Sequence, residues 1–227
     1  MSGSESEVES QAGSGAVTGN RARVVLATRN AHKVGEVRAI LAEALAGTVS
    51  EQLLASAVVG VGDFDVPEVA EVGVTFAQNA LLKAHAACTA TGLPALADDS
   101  GLCVDVMGGA PGIFSARWSG THGRDIDNLR LLLDQVADVP DEHRGAAFVA
   151  AVALVLPDGT EHVEHGRAPG TLTREPSGGG GFGYDPILRV DGDTRTMAEL
   201  TPTEKNAISH RGQALRAMAP RLVSFLE

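Results

Sequence analysis

Aromatic residues are scarce in this 227-residue sequence, at 4%, although hydrophobic residues of all kinds make up 44% and charged residues 21%. The overall composition is close to that of globular proteins and excludes a chain that is disordered throughout. The core therefore has to be built mainly from Ala, Val and Leu. The length suits one large domain or two small lobes.

Basic residues are also in short supply, with 18 Lys and Arg against 29 Asp and Glu and a formal net charge of −11. This balance excludes a global basic surface for nucleic acid and a polybasic membrane patch. A local cluster of Lys, Arg and backbone N–H groups can still bind a nucleotide in an acidic protein. We therefore expect no nucleic-acid partner, while a nucleotide site stays open.

Cysteines and long apolar runs are few as well. The two cysteines, Cys88 and Cys103, lie outside any CxxC motif, which excludes a framework of several disulfides. No apolar run reaches the roughly 18 residues of a membrane span, and residues 1–20 lack the basic and apolar regions of a secretory signal. We expect a reduced, cytoplasmic protein without membrane contact, with a disordered tail over residues 1–22 and a single domain over 23–227.

Apolar strand-like runs alternate with helix-like segments along the chain, a pattern that predicts an α/β fold with a mixed sheet. Strands are predicted over 24–27, 146–156 and 161–167, and a strand pair over 94–106 that is broken at 98–101. Helices are predicted over 31–45, 76–90 and 124–137, and a last helix begins after Thr201.

The first polar cluster, Thr28, Asn30 and Lys33, lies between a predicted strand and a predicted helix. Backbone N–H groups at a helix N-terminus attract phosphate, and a nearby lysine adds positive charge. The segment lacks the GxxxxGK[ST] pattern of a Walker loop. An ordinary polar loop is the alternative interpretation.

The second cluster is the acidic run Asp98, Asp99 and Ser100, which follows apolar residues. Adjacent carboxylates in a strand point to opposite faces, so normally only one of them faces a given site. Carboxylate oxygens suit Mg²⁺, which binds through one or two carboxylates plus substrate phosphates. Glu68 and Glu71 could complete such a metal site, and a simple turn is the alternative.

The third cluster is a glycine run, 178–181, that precedes Phe182, Tyr184 and Asp185. Consecutive glycines favour a backbone that approaches another group closely. Phe182 or Tyr184 could stack on a base, and Asp185 could read the edge of that base. The alternative is a flexible linker. The run is not a dinucleotide fingerprint, because no apolar strand precedes it and no helix follows.

The fourth cluster, Lys205, Ser209, His210 and Arg211, falls in the predicted last helix, where a solvated charged face is the ordinary explanation.

Other hydrolase chemistries lack support. Ser100 is outside a GxSxG elbow, and the histidines show no zinc-binding spacing.

Taken together, these clusters resemble the inosine triphosphate pyrophosphatase family, also called dITP/XTP or non-standard purine NTP pyrophosphatases. The matching stretches occur in the family's order across nearly the whole chain outside the tail, at 25–33, 75–80, 97–102, 108–117, 181–186 and 198–212.

The resemblance implies Mg²⁺-dependent hydrolysis of a non-standard purine triphosphate (ITP, dITP or XTP) to the monophosphate and pyrophosphate. It also implies an elongated mixed β-sheet flanked by helices, with two lobes around a central nucleotide cleft, and a homodimer. A nucleotide-binding sensor without turnover is the alternative function.

The resemblance further assigns site residues. Asp99 matches the catalytic base and metal ligand, and Glu68 and Glu71 are both candidates for the second metal carboxylate. The family's phosphate-binding positions correspond to Thr28, Asn30, Lys33 and Lys205. The positions that recognise the 6-oxo edge of the base correspond to His210 and Arg211. The full set of implied substrate contacts is Thr28, Arg29, Asn30, Ala31, His32, Lys33, Ser100, Phe182, Gly183, Tyr184, Asp185, Lys205, His210 and Arg211.

The sequence departs from the family at Arg29, where a glycine is common, and at Ala70, where a glutamate is common. The departure at Ala70 leaves the choice between Glu68 and Glu71 open.

Overall fold

The computed structural model describes residues 23–29 and 31–226, which form a mixed six-stranded sheet with strand order β2-β1-β3-β4-β5-β6. Strands β1, β2 and β3 are parallel, and the remaining pairings are antiparallel. The strands are β1 (Val24–Leu26), β2 (Val58–Gly60), β3 (Ala95–Val104), β4 (Gly145–Val155), β5 (Glu161–Leu172) and β6 (Leu188–Val190). This arrangement confirms the predicted α/β class.

Helices cover the sheet, and several of them begin and end where local sequence chemistry predicts. The third helix starts after Thr75, whose side chain accepts a hydrogen bond from the Gln78 N–H at 3.1 Å. It ends at Gly92, which has a left-handed φ of 67°. The helices are α1 (Ala31–Ala44), α2 (Glu51–Ala57), α3 (Phe76–Thr91), α4 (Asp125–Gln135), α5 (Pro202–Ile208) and α6 (His210–Leu226). No helix in the described part of the chain is long and apolar enough to span a membrane.

Alternation along the strands divides the core into separate clusters. Val24 and Leu26 pack with α1, α2 and α6 on one face, whereas Val25 packs with α3 on the other. A third cluster lies at the far end of β3, β4 and β5, where Leu102, Phe148 and other side chains pack with α4. The site described below lies between this third cluster and the two clusters that flank β1.

The acidic run does not interrupt its strand. Strand β3 pairs with β4 without a break from Ala95, opposite Val155, to Val104, opposite Ala146. The predicted strand pair broken at 98–101 was therefore wrong. Polar residues are tolerated inside this strand because Asp98 and Asp99 find cationic partners on the two faces of the sheet, so no turn is needed to expose them.

Strand β5 is longer than the predicted 161–167 and continues to Leu172. Its last three residues, 170–172, pair with β6. The extension also pairs with β4, from Phe148 opposite Ala168 to Gly145 opposite Thr171, so its strand partners lie far from it in the sequence.

The predicted single last helix is divided at Ser209, whose backbone is extended with φ −64° and ψ 151°. The Ser209 hydroxyl accepts a hydrogen bond from the Gly212 N–H at 3.0 Å and so caps the first turn of α6. The predicted cap at Thr201 is confirmed, with Glu204 completing a capping box. The division places Lys205 on α5 and Arg211 on α6.

Close contact between β5 and α6 depends on Gly166. A Cβ at this position would collide with the His210 carbonyl oxygen, at the start of α6. We expect Gly166→Ala to lower the free energy of unfolding by about 1–3 kcal/mol, the usual cost of overpacking. Urea unfolding measures this loss. Gly62→Ala is the matched control, because a Cβ added at Gly62 would have no neighbouring atom within 4 Å; equal losses in the two variants would contradict the contact.

Candidate active site

The early end of β1 opens the sheet beside the acidic run. Strand β1 stops at Leu26, opposite Leu96, whereas β3 continues to Val104. Asp98 and Asp99 therefore lie just past the last β1 pairing, next to the loop that begins at Thr28. The carboxyl ends of parallel strands are the common ligand-binding edge of an α/β sheet.

On the α3 face, Asp99 belongs to a chain of charged groups. The Lys83 Nζ atom lies 3.1 Å from Asp99 Oδ1 and 3.1 Å from Glu71 Oε1. The Asn79 side-chain amide donates a hydrogen bond to Asp99 Oδ2 at 3.1 Å. Arg117 contacts the other Glu71 oxygen at 3.5 Å. One lysine thus bridges two carboxylates that would otherwise repel each other.

A cavity of about 340 Å³ adjoins this chain of charges. Lys83 and Glu71 form part of its wall, and Glu68 also lines it as an exposed side chain. Arg29 lines it too, and its guanidinium donates to the Val66 carbonyl oxygen at 2.5 Å. The remaining lining residues are Ala27, Thr28, Val61, Val66, Pro67, Val69, Arg117 and His122. Cations and carboxylates together make this wall suited to phosphate and a divalent metal.

The pKa values differ between the groups on this face. Burial raises the pKa of Asp99 above its ordinary value, and Glu71 adds to the rise despite the opposing charge of Lys83. Burial opposes the charge on Lys83, yet Asp99, Asp98 and Glu71 raise its pKa overall. For Glu71, burial is outweighed by Lys83 and Arg117, so its pKa is lowered. Asp99 is thus the carboxylate best suited to take up a proton.

On the opposite face, Asp98 contacts a different set of cations. The Arg211 Nε atom lies 2.9 Å from Asp98 Oδ2, and the Lys33 Nζ atom lies 3.9 Å from Asp98 Oδ1. Arg211 Nη1 also lies 3.2 Å from each Glu36 oxygen, and Nη2 lies 3.4 Å from Ser100 Oγ. Burial would raise the pKa of Asp98, but Lys33, Arg211 and Lys83 lower it far below its ordinary value.

A second cavity, of about 100 Å³, lies on this face, with His210 in its wall. The His210 ring stacks on Phe148 with centroids 4.9 Å apart. Burial, together with the charges of Arg211 and Lys205, lowers the pKa of His210 to about 3, so the ring is neutral at physiological pH. Its buried Nδ1 atom has no hydrogen-bond partner within the described structure, and a ligand could supply one.

The glycine loop forms another wall of the second cavity. Phe182 is 54% exposed, and the Lys205 Nζ atom lies 5.1 Å from its ring centroid. Asp185 accepts a hydrogen bond from the Phe182 N–H at 2.8 Å and pairs with Lys205 at 2.5 Å. Gly181 has a positive φ of 71°, and a Cβ there would collide with the Asp185 carboxylate. The glycine is therefore required for the loop to close on Asp185.

The two cavities receive different parts of the predicted site. The phosphate-loop and acidic candidates Thr28, Arg29, Glu68 and Glu71 line the first. Lys205 lies with the glycine loop, apart from the phosphate candidates of the first cavity. Asn30 and the side chains of Ala31 and His32 lie outside the described residues. The candidates that line the second cavity are Ser100, Phe182, Gly183, Tyr184, Asp185, Lys205, His210 and Arg211.

Several residues of the site are absent from the sequence-based assignment, notably Lys83, Asn79, Arg117 and Glu36. Lys83 had a detectable signal, because it is the only Lys, Arg, Asp or Glu in α3. Asn79 lies four residues before it and so shares its helix face. Arg117 ends the family-like stretch 108–117 but was assigned no role there, and no local sequence pattern marks Glu36.

The comparisons with known proteins identify the family of this chain. The family model described as the Ham1 family matches residues 24–221. The chain belongs to the Ham1 family. This match spans all six strands and both cavities.

Relatives of the Ham1 chain cover most of its length. The dITP/XTP pyrophosphatase of Streptomyces coelicolor is 63% identical over 199 residues, covering 87% of this chain and 96% of the relative. That of Streptomyces avermitilis is 61% identical over 198 residues, with coverage of 87% and 96%.

Two solved structures are similar to this chain in fold. A HAM1 protein from Coxiella burnetii has a TM-score of 0.78 at 40% identity, covering 89% of this chain and 99% of that one. A nucleoside-triphosphatase or dITP/XTP pyrophosphatase from Mycobacterium abscessus has a TM-score of 0.70 at 48% identity, covering 87% and 98%.

Proposed function

We propose that this Ham1 chain hydrolyses non-standard purine nucleoside triphosphates, namely ITP, dITP and XTP, to the monophosphate and pyrophosphate. The observation that carries the proposal is the division of Asp98 and Asp99 between the two faces of β3. Asp98 contacts Arg211 beside a cavity with an exposed aromatic ring, and Asp99 contacts Lys83 beside a cavity rich in cations. The names of the relatives support the same reaction.

In the proposed reaction, a water molecule attacks the α-phosphorus and the bond to the β-phosphate breaks. Asp99 accepts the proton of the attacking water, a role that its raised pKa favours. Lys83 and Arg117 stabilise negative charge on the phosphates from the wall of the first cavity. The glycine loop and Arg211 hold the base in the second cavity.

The donor set fits Mg²⁺ as the metal of this reaction. Asp99 and Glu71 are oxygen donors held by one lysine, and Mg²⁺ commonly binds to one or two carboxylates together with substrate phosphates. No group of three or more His, Cys, Asp or Glu suited to a metal occurs among the residues that the structure describes. Phosphate oxygens and water would complete the shell. Bound Mg²⁺ would neutralise phosphate charge.

We favour Glu71 over Glu68 because only Glu71 shares Lys83 with Asp99.

Base selectivity follows from hydrogen-bond polarity in the second cavity. A 6-oxo purine offers an acceptor at O6, whereas adenine offers an amino donor there. Arg211 can only donate, so it matches the 6-oxo base and leaves adenine facing an unmatched donor.

We expect Arg211→Ala to reduce the ratio of kcat/KM for ITP to kcat/KM for ATP by about tenfold or more, since an unmatched polar group is the basis of the discrimination. Inhibition by pyrophosphate should change far less, because that ligand carries no base. Steady-state kinetics with both nucleotides measure the ratio. Equal losses for ITP and ATP would contradict base recognition by Arg211.

The reaction itself is tested by incubating the protein with ITP, dITP, XTP, GTP and ATP, with and without Mg²⁺, and separating the products. We expect monophosphate and pyrophosphate from ITP, dITP and XTP, only with Mg²⁺, and little product from ATP. Release of single phosphates would contradict the proposed cleavage position. Tight ITP binding without turnover would favour a nucleotide sensor.

We also propose a cytoplasmic homodimer in which residues 23–227 form the catalytic domain. Residues 1–22 lie outside the described residues and are proposed to take no part in catalysis. Light scattering tests the dimer, and a chain lacking residues 1–22 should keep the kinetic constants of the full chain.

A further inference from the structure

Asp98 is a nearly buried carboxylate that contacts both Lys33 and Arg211, and Arg211 lines the second cavity. Its side chain is 13% exposed and that of Arg211 is 3% exposed. We propose that Asp98 is a positioning residue for base selectivity: it fixes the direction of the Arg211 guanidinium and connects that guanidinium to Lys33 in the first turn of α1. This inference rests on the proposed function of Arg211 and concerns an aspartate to which the reaction described above gives no role.

The hydrogen bonds of Arg211 determine which nitrogen is available to a base. Asp98 engages Nε at 2.9 Å, and Glu36 engages Nη1 at 3.2 Å from both of its oxygens. Nη2 has a weaker contact, 3.4 Å from Ser100 Oγ. A guanidinium held on two sides by carboxylates has a fixed plane and presents its third nitrogen in one direction. Asp98 thereby acts on the base through Arg211.

The same carboxylate affects the phosphate end in the opposite sense. Asp98 lies 3.9 Å from the Lys33 Nζ atom, so its negative charge offsets part of the positive charge that Lys33 offers to a phosphate. Removal of this charge should strengthen the binding of an anion near Lys33 while it weakens base recognition. A purely structural role would weaken both properties together.

The test is Asp98→Asn, which keeps the size of the side chain and removes its charge. We expect the kcat/KM ratio of ITP to ATP to fall about tenfold, since the charge-assisted hydrogen bond to Arg211 Nε is weakened to one with a neutral amide oxygen. Inhibition by pyrophosphate should become several-fold stronger, as expected when a nearby like charge is removed. In an Arg211→Ala background, Asp98→Asn should leave the ITP to ATP ratio unchanged, because its effect passes through Arg211.

The matched control is Asp193→Asn, which breaks another Asp–Arg pair, with Arg195 at 2.8 Å, outside both cavities. It should leave the ratio and the pyrophosphate inhibition as in the unaltered protein. If Asp98→Asn unfolds below the assay temperature, Asp98→Glu replaces it. There the charge is kept but displaced by one methylene, so the ratio should fall while pyrophosphate inhibition stays the same.

The outcomes separate this inference from the proposed function. If the unaltered protein hydrolyses ITP in preference to ATP and a folded Asp98 variant keeps the same ratio, the positioning role is overturned and the function stands. Additive losses in the double variant also overturn it. If the unaltered protein has no turnover, the proposed function fails, and calorimetry then measures the affinity of both proteins for pyrophosphate. An unchanged affinity in Asp98→Asn would overturn the link to Lys33.

Discussion

Replacement of Asp99 by Asn should reduce kcat for ITP by about 10²–10⁴-fold, the range in which general acid–base catalysis contributes. Asn keeps the size of the side chain and its capacity to accept a hydrogen bond from Asn79, but it cannot take a proton from water. It also removes a negatively charged oxygen donor for the metal. Steady-state kinetics at saturating ITP and Mg²⁺ measure the loss.

Two further measurements make the Asp99 result decisive. Thermal unfolding should show a folded variant, because the Asn79 contact on the same face is retained. Asp134→Asn, an exposed residue on α4, is the control and should have the kcat of the unaltered protein. Near-normal turnover in a folded Asp99→Asn protein would remove Asp99 from the mechanism.

Loss of the Lys83 cation should have the second-largest effect. Lys83→Met leaves Asp99 and Glu71 without the ammonium group that lies 3.1 Å from each of them. We expect kcat/KM to fall by about 10²–10³-fold, comparable with removal of one charge-stabilising donor from an active site. Activity requires ionised Asp99, and Lys83 lowers the pKa of Asp99. Without Lys83 this pKa rises, so the acidic limb of the pH–rate profile should move to higher pH.

Lys83→Arg is the matched variant, because it keeps the positive charge while changing the geometry of the donors. It should lose activity without the large displacement of the acidic limb that Lys83→Met shows. An unchanged pH profile in Lys83→Met would mean that another group than Asp99 is the base.

Sequence patterns predicted the elements whose signals are local. The Thr75 cap, the Thr201 capping box and the apolar run of β4 each depend on a few neighbouring residues, and the structure contains all three. The break at Ser209 was missed because the sequence before and after it remains helix-forming. Only the extended backbone and the hydrogen bond to Gly212 separate the two helices.

The acidic run at 98–101 shows why a local sequence pattern wrongly predicted a break in β3. Asp, Ser and Gly together are typical of a turn, and a strand that carries two adjacent carboxylates is costly without partners. The partners come from distant segments: Arg211 is 113 residues from Asp98, and Lys83 is 16 residues from Asp99. Such long-range compensation has no signature within the run itself, and for the same reason Glu36 could not be assigned.

The placement of Asp98 and Asp99 on opposite faces of one continuous strand restricts how this gene can change in length. Deletion or insertion of a single codon between Leu96 and Asp98 would turn every following side chain of β3 to the other face. After a deletion, Asp99 would face Arg211, and Ser100 would face Lys83. Point substitutions elsewhere can accumulate one at a time. A one-codon deletion or insertion here would move both carboxylates to the opposite faces of the sheet in a single step. Length variation among descendants of this gene should therefore fall in the connecting loops.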